Sequence, residues 1–595
     1  MAEAVGGVSP GRLTWPMIGL ACGSAGLIWL LHALYGHLLV QGMYDRTLSL
    51  DWLNGIVKRP SQHPLDYYLV KADSAVRGVC LLLIFSAMVG AGLTEFGRRY
   101  PGSPWNGRAQ RLMVGATLLL WTAFLLEVPL FPLLPYWFWS LHRTDLPAAW
   151  ILLPAAVLAL GSIRFILSHP QRWRLNLLTL IGAGYVLQLA FAFSEGQGVA
   201  ALSRHYLGSA GHGHLARAAT QQRDPLQLVT SYGQLLDTGE LTPFPHATRP
   251  PGALLFLMGL ERLSRVWGGG EPEDSPPLRR LSAVAGWALP LLTYLTLIPL
   301  FGVCSRVYGT AGTGAAAWIA PSLYLFMPNV TLMTLHLDQC LFPLLAWACV
   351  YAGLHGLDTG HRVWTVGAGL LLYLSLFFSF GLIALAPILL LMGLLWKRGR
   401  EGGREEPGRL KAIGLYSLLL AGGWLATHLA FQALFGYDAV AQFRTGMAAH
   451  QAFKVLDWTL SATLYFAGLD LVEFALWCGL PVSVLAVAEV GRALSAARGR
   501  SAPGNATGAQ SPAAGRHRSF VLTFAIVMTS LALFGQTAAE TGRLWIFLVP
   551  LVLMAATGAL VRLRRSEDGW HRDLLLLCAL QFVTVLVLKR HQDFF

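Results

Sequence analysis

Ile413–Phe435 reads IGLYSLLLAGGWLATHLAFQALF, 23 residues without a lysine, arginine, aspartate or glutamate. Roughly 20 such residues wound as an α-helix rise about 30 Å, the thickness of a bilayer's hydrocarbon. Trp15–Gln41 is likewise free of them, and Leu112–Phe131 carries only Glu127. The whole chain follows suit: 595 residues, 55% hydrophobic, 13% charged, mean hydropathy +0.53. A soluble domain carries about 25% charged residues. The composition therefore predicts an all-α polytopic membrane protein.

Working outward, hydropathy predicts about 13–15 transmembrane helices, near 15–41, 76–96, 112–132, 148–168, 175–194, 281–303, 311–328, 334–354, 364–378, 380–396, 412–434, 471–491, 519–535, 544–562 and 573–589. The first follows Arg12 and is too long for a signal peptide's apolar core, so it reads as an uncleaved anchor. Gly252–Trp267 is either a span, with 364–396 then a single long one, or a juxtamembrane helix. The cluster Glu261, Arg262 and Arg265 favours the juxtamembrane helix.

Basic loops follow alternate spans: Arg98/Arg99/Arg108/Arg111, Arg172/Arg174, Lys397/Arg398/Arg400/Arg404, Arg492/Arg498/Arg500 and Arg562/Arg564/Arg565. By the positive-inside rule these loops are cytoplasmic, and so is the N-terminus. The net charge of +13 is thereby assigned to membrane orientation, with no nucleic-acid partner. Loops 42–75, 133–147, 195–280, 435–470 and 536–543 fall on the opposite, periplasmic face. High Gly, Ala, Arg and Leu usage points to a bacterial inner membrane. The seven cysteines all sit in apolar segments without metal-ligand spacing and read as packing residues. Three regions result: 1–174, four spans with the first loop; 175–434, a core carrying the long loop; and 435–595, with a Gly/Ser/Ala/Pro-rich cytoplasmic linker inside 492–518.

The stretch from Glu195 to Gly252 is the most suggestive for chemistry. It reads as a long polar loop without obvious helices of its own; such loops are usually functional or disordered, and this one reads as functional. Glu195 follows a span directly and suits a general base, although a carboxylate there also serves as a plain helix cap. Arg204, His205, His212, His214 and Arg217 suit a diphosphate or lipid phosphate, or equally a solvated basic loop. Tyr232 and His246 stand in the same loop. Pro250-Pro251-Gly252 should launch a helix, presenting Arg249 at its start. Asp338 lies at the mouth of an apolar span, where ionisable groups are costly and often functional. Glu540 and Arg543, three apart, suit a site or a structural ion pair. In the first loop, Asp45 stands to the first span as Glu195 stands to the fifth.

A span, an acidic residue at its outer end and a long loop closing on a Pro-Pro helix resemble the integral-membrane glycosyltransferases of the GT-C superfold. The likeness is greatest to the protein-mannosyltransferase and aminoarabinose-transferase branch. It continues through Arg279-Arg280-Leu281 leading a span, Ser305-Arg306-Val307-Tyr308-Gly309 at its end, an alanine-rich span, and Asp338 opening another. It covers about 190–400. The resemblance implies inverting transfer of a sugar from a polyprenyl-phosphate donor to a lipid, glycan or protein acceptor on the non-cytoplasmic face. Membrane lipids are the surroundings. Glu195 takes the place of the family's acid, with Asp45 as alternative. Arg204, His212, His214, Tyr232, His246, Arg249, Glu540 and Arg543 form the substrate-binding set. No metal-ligand set is read, and a divalent cation beside Asp338 is the one candidate cofactor. The competing readings are a transporter or flippase for a lipid-linked glycan and a non-catalytic envelope-assembly protein.

Overall fold

The computed structural model describes residues 108–125, 143–202, 210–222, 224–241, 246, 248–267, 277–309, 314–333, 339–400, 409–454, 459–497, 512–534, 540–562 and 569–591. Asp45 with its loop, the spans at 15–41 and 76–96, Arg204, Asp338 and most of the 492–518 linker lie outside the described residues. Every regular element among the described residues is helical. Among the described residues, eight helices are long and apolar enough to cross a membrane, and four more are apolar but shorter. The protein is thus an all-α, multi-pass membrane protein. The physical reason is that hydrocarbon offers backbone amides and carbonyls no partner, and a helix satisfies them within one segment.

The chain divides into two compact units, 1–144 with 586–593, and 145–585. In the first, α1 (Arg108–Leu125) is described, and Thr144 N–H donates to the Arg590 carbonyl at 2.8 Å. The second begins with α2 (Leu152–Ser168) and α3 (Trp173–Phe193), an antiparallel pair turning at His169–Arg172. Four helices then occupy the long polar stretch: α4 (Ala210–Gln221), α5 (Pro225–Thr230), α6 (Tyr232–Asp237) and α7 (Pro251–Trp267). This corrects the reading of 195–252 as a loop without helices of its own, whereas α7 is the helix expected at 252–267. Its segments are short and polar, so they carry no membrane signal, yet each has an apolar side that packs on a shared cluster. Pro251 does open α7, as expected from a proline in the first helical turn.

The remaining chain forms α8 (Pro277–Leu295), α9 (Leu297–Tyr308), α10 (Ile319–Tyr324), α11 (Leu341–Thr359), α12 (Arg362–Phe378), α13 (Leu385–Arg400), α14 (Arg409–Phe435), α15 (Ala439–Lys454), α16 (Leu460–Cys478), α17 (Leu480–Ala497), α18 (Pro512–Phe534), α19 (Thr541–Leu544), α20 (Val549–Arg562) and α21 (Gly569–His591). α8 and α9 run on as one 32-residue apolar rod.

Three expected spans change form. The segment expected as a span at 311–328 is a 3-10 turn, the short α10 and a π-helical turn, Asn329–Met333, and the span expected at 334–354 is α11, starting at Leu341. Irregular backbone survives there because it is enclosed by protein rather than lipid: Val330 and Thr331 are fully buried. The span expected at 471–491 is two helices meeting at Gly479, whose φ of +81° suits glycine. The carbonyl freed at Cys478 is met by Gln581 Nε2 at 2.8 Å. Between α12 and the 3-10 turn that leads into α13, Ser379 is extended (φ −158°, ψ 127°), so 364–396 is two helices rather than one.

Helix contacts rest on small residues. A Cβ on Gly369 would stand 2.2 Å from the Leu420 carbonyl oxygen, and one on Gly423 2.2 Å from that of Val366. α12 and α14 therefore touch backbone to backbone, the packing that membrane helices use in place of a hydrophobic drive.

The second unit has two recognisable ends. At one, the basic end, Glu489 of α17 is fully buried and receives Arg492, His517 of α18 at 2.8 Å, and Arg562 of α20. Tyr308 of α9 meets the other ring nitrogen of His517, Nδ1, at 2.8 Å. Beside them Arg306 pairs with Asp358, which also accepts from Trp396 Nε1. At the other, the loop end, 195–267 leaves the bundle. Glu489 thus ties three helices through one carboxylate, and His517 adds α9 through Tyr308. Glu489→Ala should leave the part-exposed Arg492 and Arg562 without their counter-charge and lower stability by about 1–3 kcal/mol. The readout is a lowered thermal-unfolding midpoint in detergent; an unchanged midpoint would show that the cluster is ornamental.

Candidate functional site

Glu195 is built from the end of α3. The helix stops at Phe193, and the Ser194 carbonyl accepts from Ala148 N–H at 3.0 Å, which ties this end to the start of the α2 segment. Gly196 follows at φ +76°, and a Cβ there would lie 2.7 Å from Pro147 Cγ. The turn is therefore tight and pressed on its neighbour, and Glu195 is only 7% exposed. The backbone at Glu195 is thus fixed on both sides, and its side chain is buried.

Two helical turns earlier on α3, Gln188 donates through Nε2 to the Thr331 carbonyl at 3.2 Å and the Val330 carbonyl at 3.4 Å. This fastens the π-helical turn to α3. The same turn packs on α19, and α19 packs on α16. There Glu540 and Arg543 form an ion pair at 2.8 Å, the (i, i+3) contact their spacing suggested. Only one face of the guanidinium is used: the buried Nε of Arg543 has no hydrogen-bond partner among the described residues.

Two acids that sequence reasoning missed stand behind this pair. Asp470 and Glu473 of α16 are fully buried. Glu473 accepts from Gly542 N–H at 3.0 Å, and the Asp470 carbonyl from Thr541 Oγ1 at 3.1 Å. They position the first turn of α19 and hence Arg543. The signal was present as two carboxylates three apart inside the apolar run LSATLYFAGLDLVEFALWC.

The helices of 210–267 supply the rest. Asp224 caps α5 by accepting from Leu226 N–H at 2.8 Å. Tyr232 is 2% exposed, and its hydroxyl donates to the carbonyls of His246 at 3.1 Å and Arg249 at 3.0 Å. Burial pushes the Tyr232 phenol up, and the Arg249 charge pulls it partly back, so the hydroxyl stays protonated and keeps donating. Tyr232 is thus a clip on the strand before α7. It leaves His246 buried and Arg249 half-buried. Gly252 sits against the end of α12, where a Cβ would lie 2.3 Å from the Phe377 carbonyl.

The π-helical turn packs on α3 and α19, and Cys340 and Leu341 at the start of α11 join the apolar cluster of α4–α8. The adjoining Gln339 is fully buried, with neither amide atom partnered among the described residues. The structure thus connects Glu195, Glu540, Arg543, Tyr232, His246 and Arg249 through one set of packed elements at the loop end. His214 is exposed on α4, and His212 lies on the same helix. Among the described residues no three His, Cys, Asp or Glu side chains gather as metal ligands.

Tyr232→Phe should leave two buried carbonyls without their donor, a penalty of about 1–3 kcal/mol. Limited proteolysis between 238 and 250 should accelerate several-fold while the membrane helices stay intact; unchanged cleavage would show that the clip is not what holds this strand. Comparison of the chain with family models, curated proteins and solved structures found no match in any of the three.

Proposed function

We propose that the protein is a membrane glycosyltransferase of GT-C type, moving a sugar from a polyprenyl-phosphate donor to an acceptor hydroxyl on the non-cytoplasmic face. The observation that carries this reading is Glu195: a carboxylate 7% exposed at the end of α3, ahead of the helices α4–α7. In the proposed reaction the acceptor oxygen attacks the anomeric carbon. Its proton passes to Glu195 as the carbon–oxygen bond to phosphate breaks, and polyprenyl phosphate leaves with the bond's electron pair. A dry, positioned base suits this step, and general-base catalysis contributes about 10²–10⁴-fold. Arg543 and Arg249 are the cations for the donor phosphate, Arg543 through the Nε that the fold leaves unused. Asp338 and Gln339 are assigned to the acceptor side, and Asp45 is the alternative base.

A transporter or flippase for a lipid-linked glycan is the second reading. It is favoured by Asp470, Glu473 and Glu489, three carboxylates fully buried in apolar helices. We favour transfer chemistry because Glu473 and Glu489 are held by protein groups, a backbone amide in one case and cations in the other.

Glu195→Gln preserves size but cannot take up the proton. With purified protein in proteoliposomes and radiolabelled polyprenyl-phosphate sugars, it should abolish transfer and leave lipid binding near wild type. Full activity here with loss in Asp45→Asn moves the base to the first loop; full activity in both rejects the enzymatic reading. Arg543→Ala should raise the donor KM about tenfold or more, since a charge-assisted contact contributes about 1.5–3 kcal/mol.

Orientation follows from the basic end being cytoplasmic, in a bacterial inner membrane with the N-terminus inside. Cysteines introduced at Gln222 and at the exposed Gln171 test it. An impermeant maleimide on intact spheroplasts should label position 222 and not 171; the reverse pattern inverts the topology.

A further inference from the structure

Beside the strand that Tyr232 clips lies an aromatic cluster between α12, α14 and the turn after α14. Tyr373 packs on Trp424, His428 and Phe431, with ring centroids 5.9, 6.0 and 5.1 Å apart. Phe377 lies 5.0 Å from Phe431 and 5.3 Å from Tyr437. Tyr373 is 1% exposed, Tyr437 4% and His428 8%. The polar atoms here are unspent: the hydroxyls of Tyr373 and Tyr437 and Nδ1 of His428 have no hydrogen-bond partner among the described residues.

Native interiors pair nearly all such atoms, so three together call for an account. A cluster built only for packing would use phenylalanine and leucine, which fill the same volume without burying polar atoms. The combination is instead one of ring faces with donor and acceptor groups at their edges. Such a set is complementary to a sugar ring, whose C–H face stacks on aromatics while its hydroxyls pair with phenols and imidazole. The cluster is also continuous with the site above. Val229 of α5 packs with Phe377 and Tyr437, and the carbonyl of Phe377 is the one pressed by Gly252 at the start of α7.

We propose that Tyr373, His428 and Tyr437 form a carbohydrate-binding subsite for a pyranose or furanose ring carrying several free hydroxyls. This rests on the glycosyl-transfer reading and deepens it: the site would recognise the sugar, while Arg249 and Arg543 meet the phosphate. The sugar can arrive on the donor lipid or as part of a glycan acceptor.

The test uses the full-length protein in nanodiscs and its thermal-unfolding midpoint. The probes are undecaprenyl phosphate, its mannosyl and arabinosyl conjugates, and the methyl glycosides of mannose and arabinose. At least one sugar-bearing probe should raise the midpoint beyond its sugar-free control. A gain confined to the conjugates assigns the donor sugar; a gain with methyl glycosides assigns a glycan acceptor. Tyr373→Phe and Tyr437→Phe should each weaken the sugar-dependent gain tenfold or more in apparent affinity. They should keep the response to undecaprenyl phosphate, with a ligand-free midpoint equal to or above wild type. The proposal is overturned if no sugar adds to the midpoint. It is also overturned if both variants keep the full gain, or if both lose ligand-free stability at unchanged affinity, which would assign the hydroxyls to internal water. Sugar binding by a wild-type protein that shows no transfer activity with any of these conjugates would retain this subsite and reject the transferase.

Discussion

A polar backbone group inside an apolar bundle has no water to fall back on, and the second unit is organised around one place where the helix is given up nonetheless. The π-helical turn Asn329–Met333 exposes carbonyls that regular helix would use, and Gln188 of α3 takes two of them. Unwound backbone is stable in such surroundings only when protein encloses it. That enclosure brings α3 and α19 together, because both pack on the turn. Glu195 and Arg543 are therefore linked through the cost of leaving a few carbonyls unmet.

The two ends of this unit solve the problem of buried charge differently. At the basic end Glu489 collects two arginines and a histidine and is spent as a clamp. At the loop end charge is only partly consumed. Arg543 uses one side of its guanidinium on Glu540, and Gln339 uses neither amide atom on the described residues. Buried groups that the fold leaves incompletely paired cost stability, and such costs concentrate where a protein binds or reacts.

Hydropathy read the membrane character and most helices correctly, since a 20-residue apolar run has almost one solution in lipid. α2, α3 and α14 fall within a few residues of expectation. It failed where burial, not composition, decides. The 311–328 segment is as apolar as a span, yet it is surrounded by protein and free to break. The 195–250 stretch is polar, yet it folds into helices because neighbours cover one side of each. The Glu540–Arg543 pair was legible because both residues lie on one helical turn. Asp470 and Glu473 were passed over because the turn that they support lies about 70 residues away in sequence.

What the sequence by itself determined is therefore what a solvent decides locally: that this chain is helical, that it crosses a membrane several times, and that its acids and arginines gather at helix ends. The tertiary structure decided which of them act together. It alone could show that Tyr232 grips the strand before α7, that Gln188 holds the π-helical turn, and that Tyr373, His428 and Tyr437 turn unspent polar atoms into one cluster. Each of these depends on contacts between residues 14 to 143 positions apart in the chain or on burial summed over several helices. No local pattern encodes such contacts, because their free energy exists only once the bundle has closed.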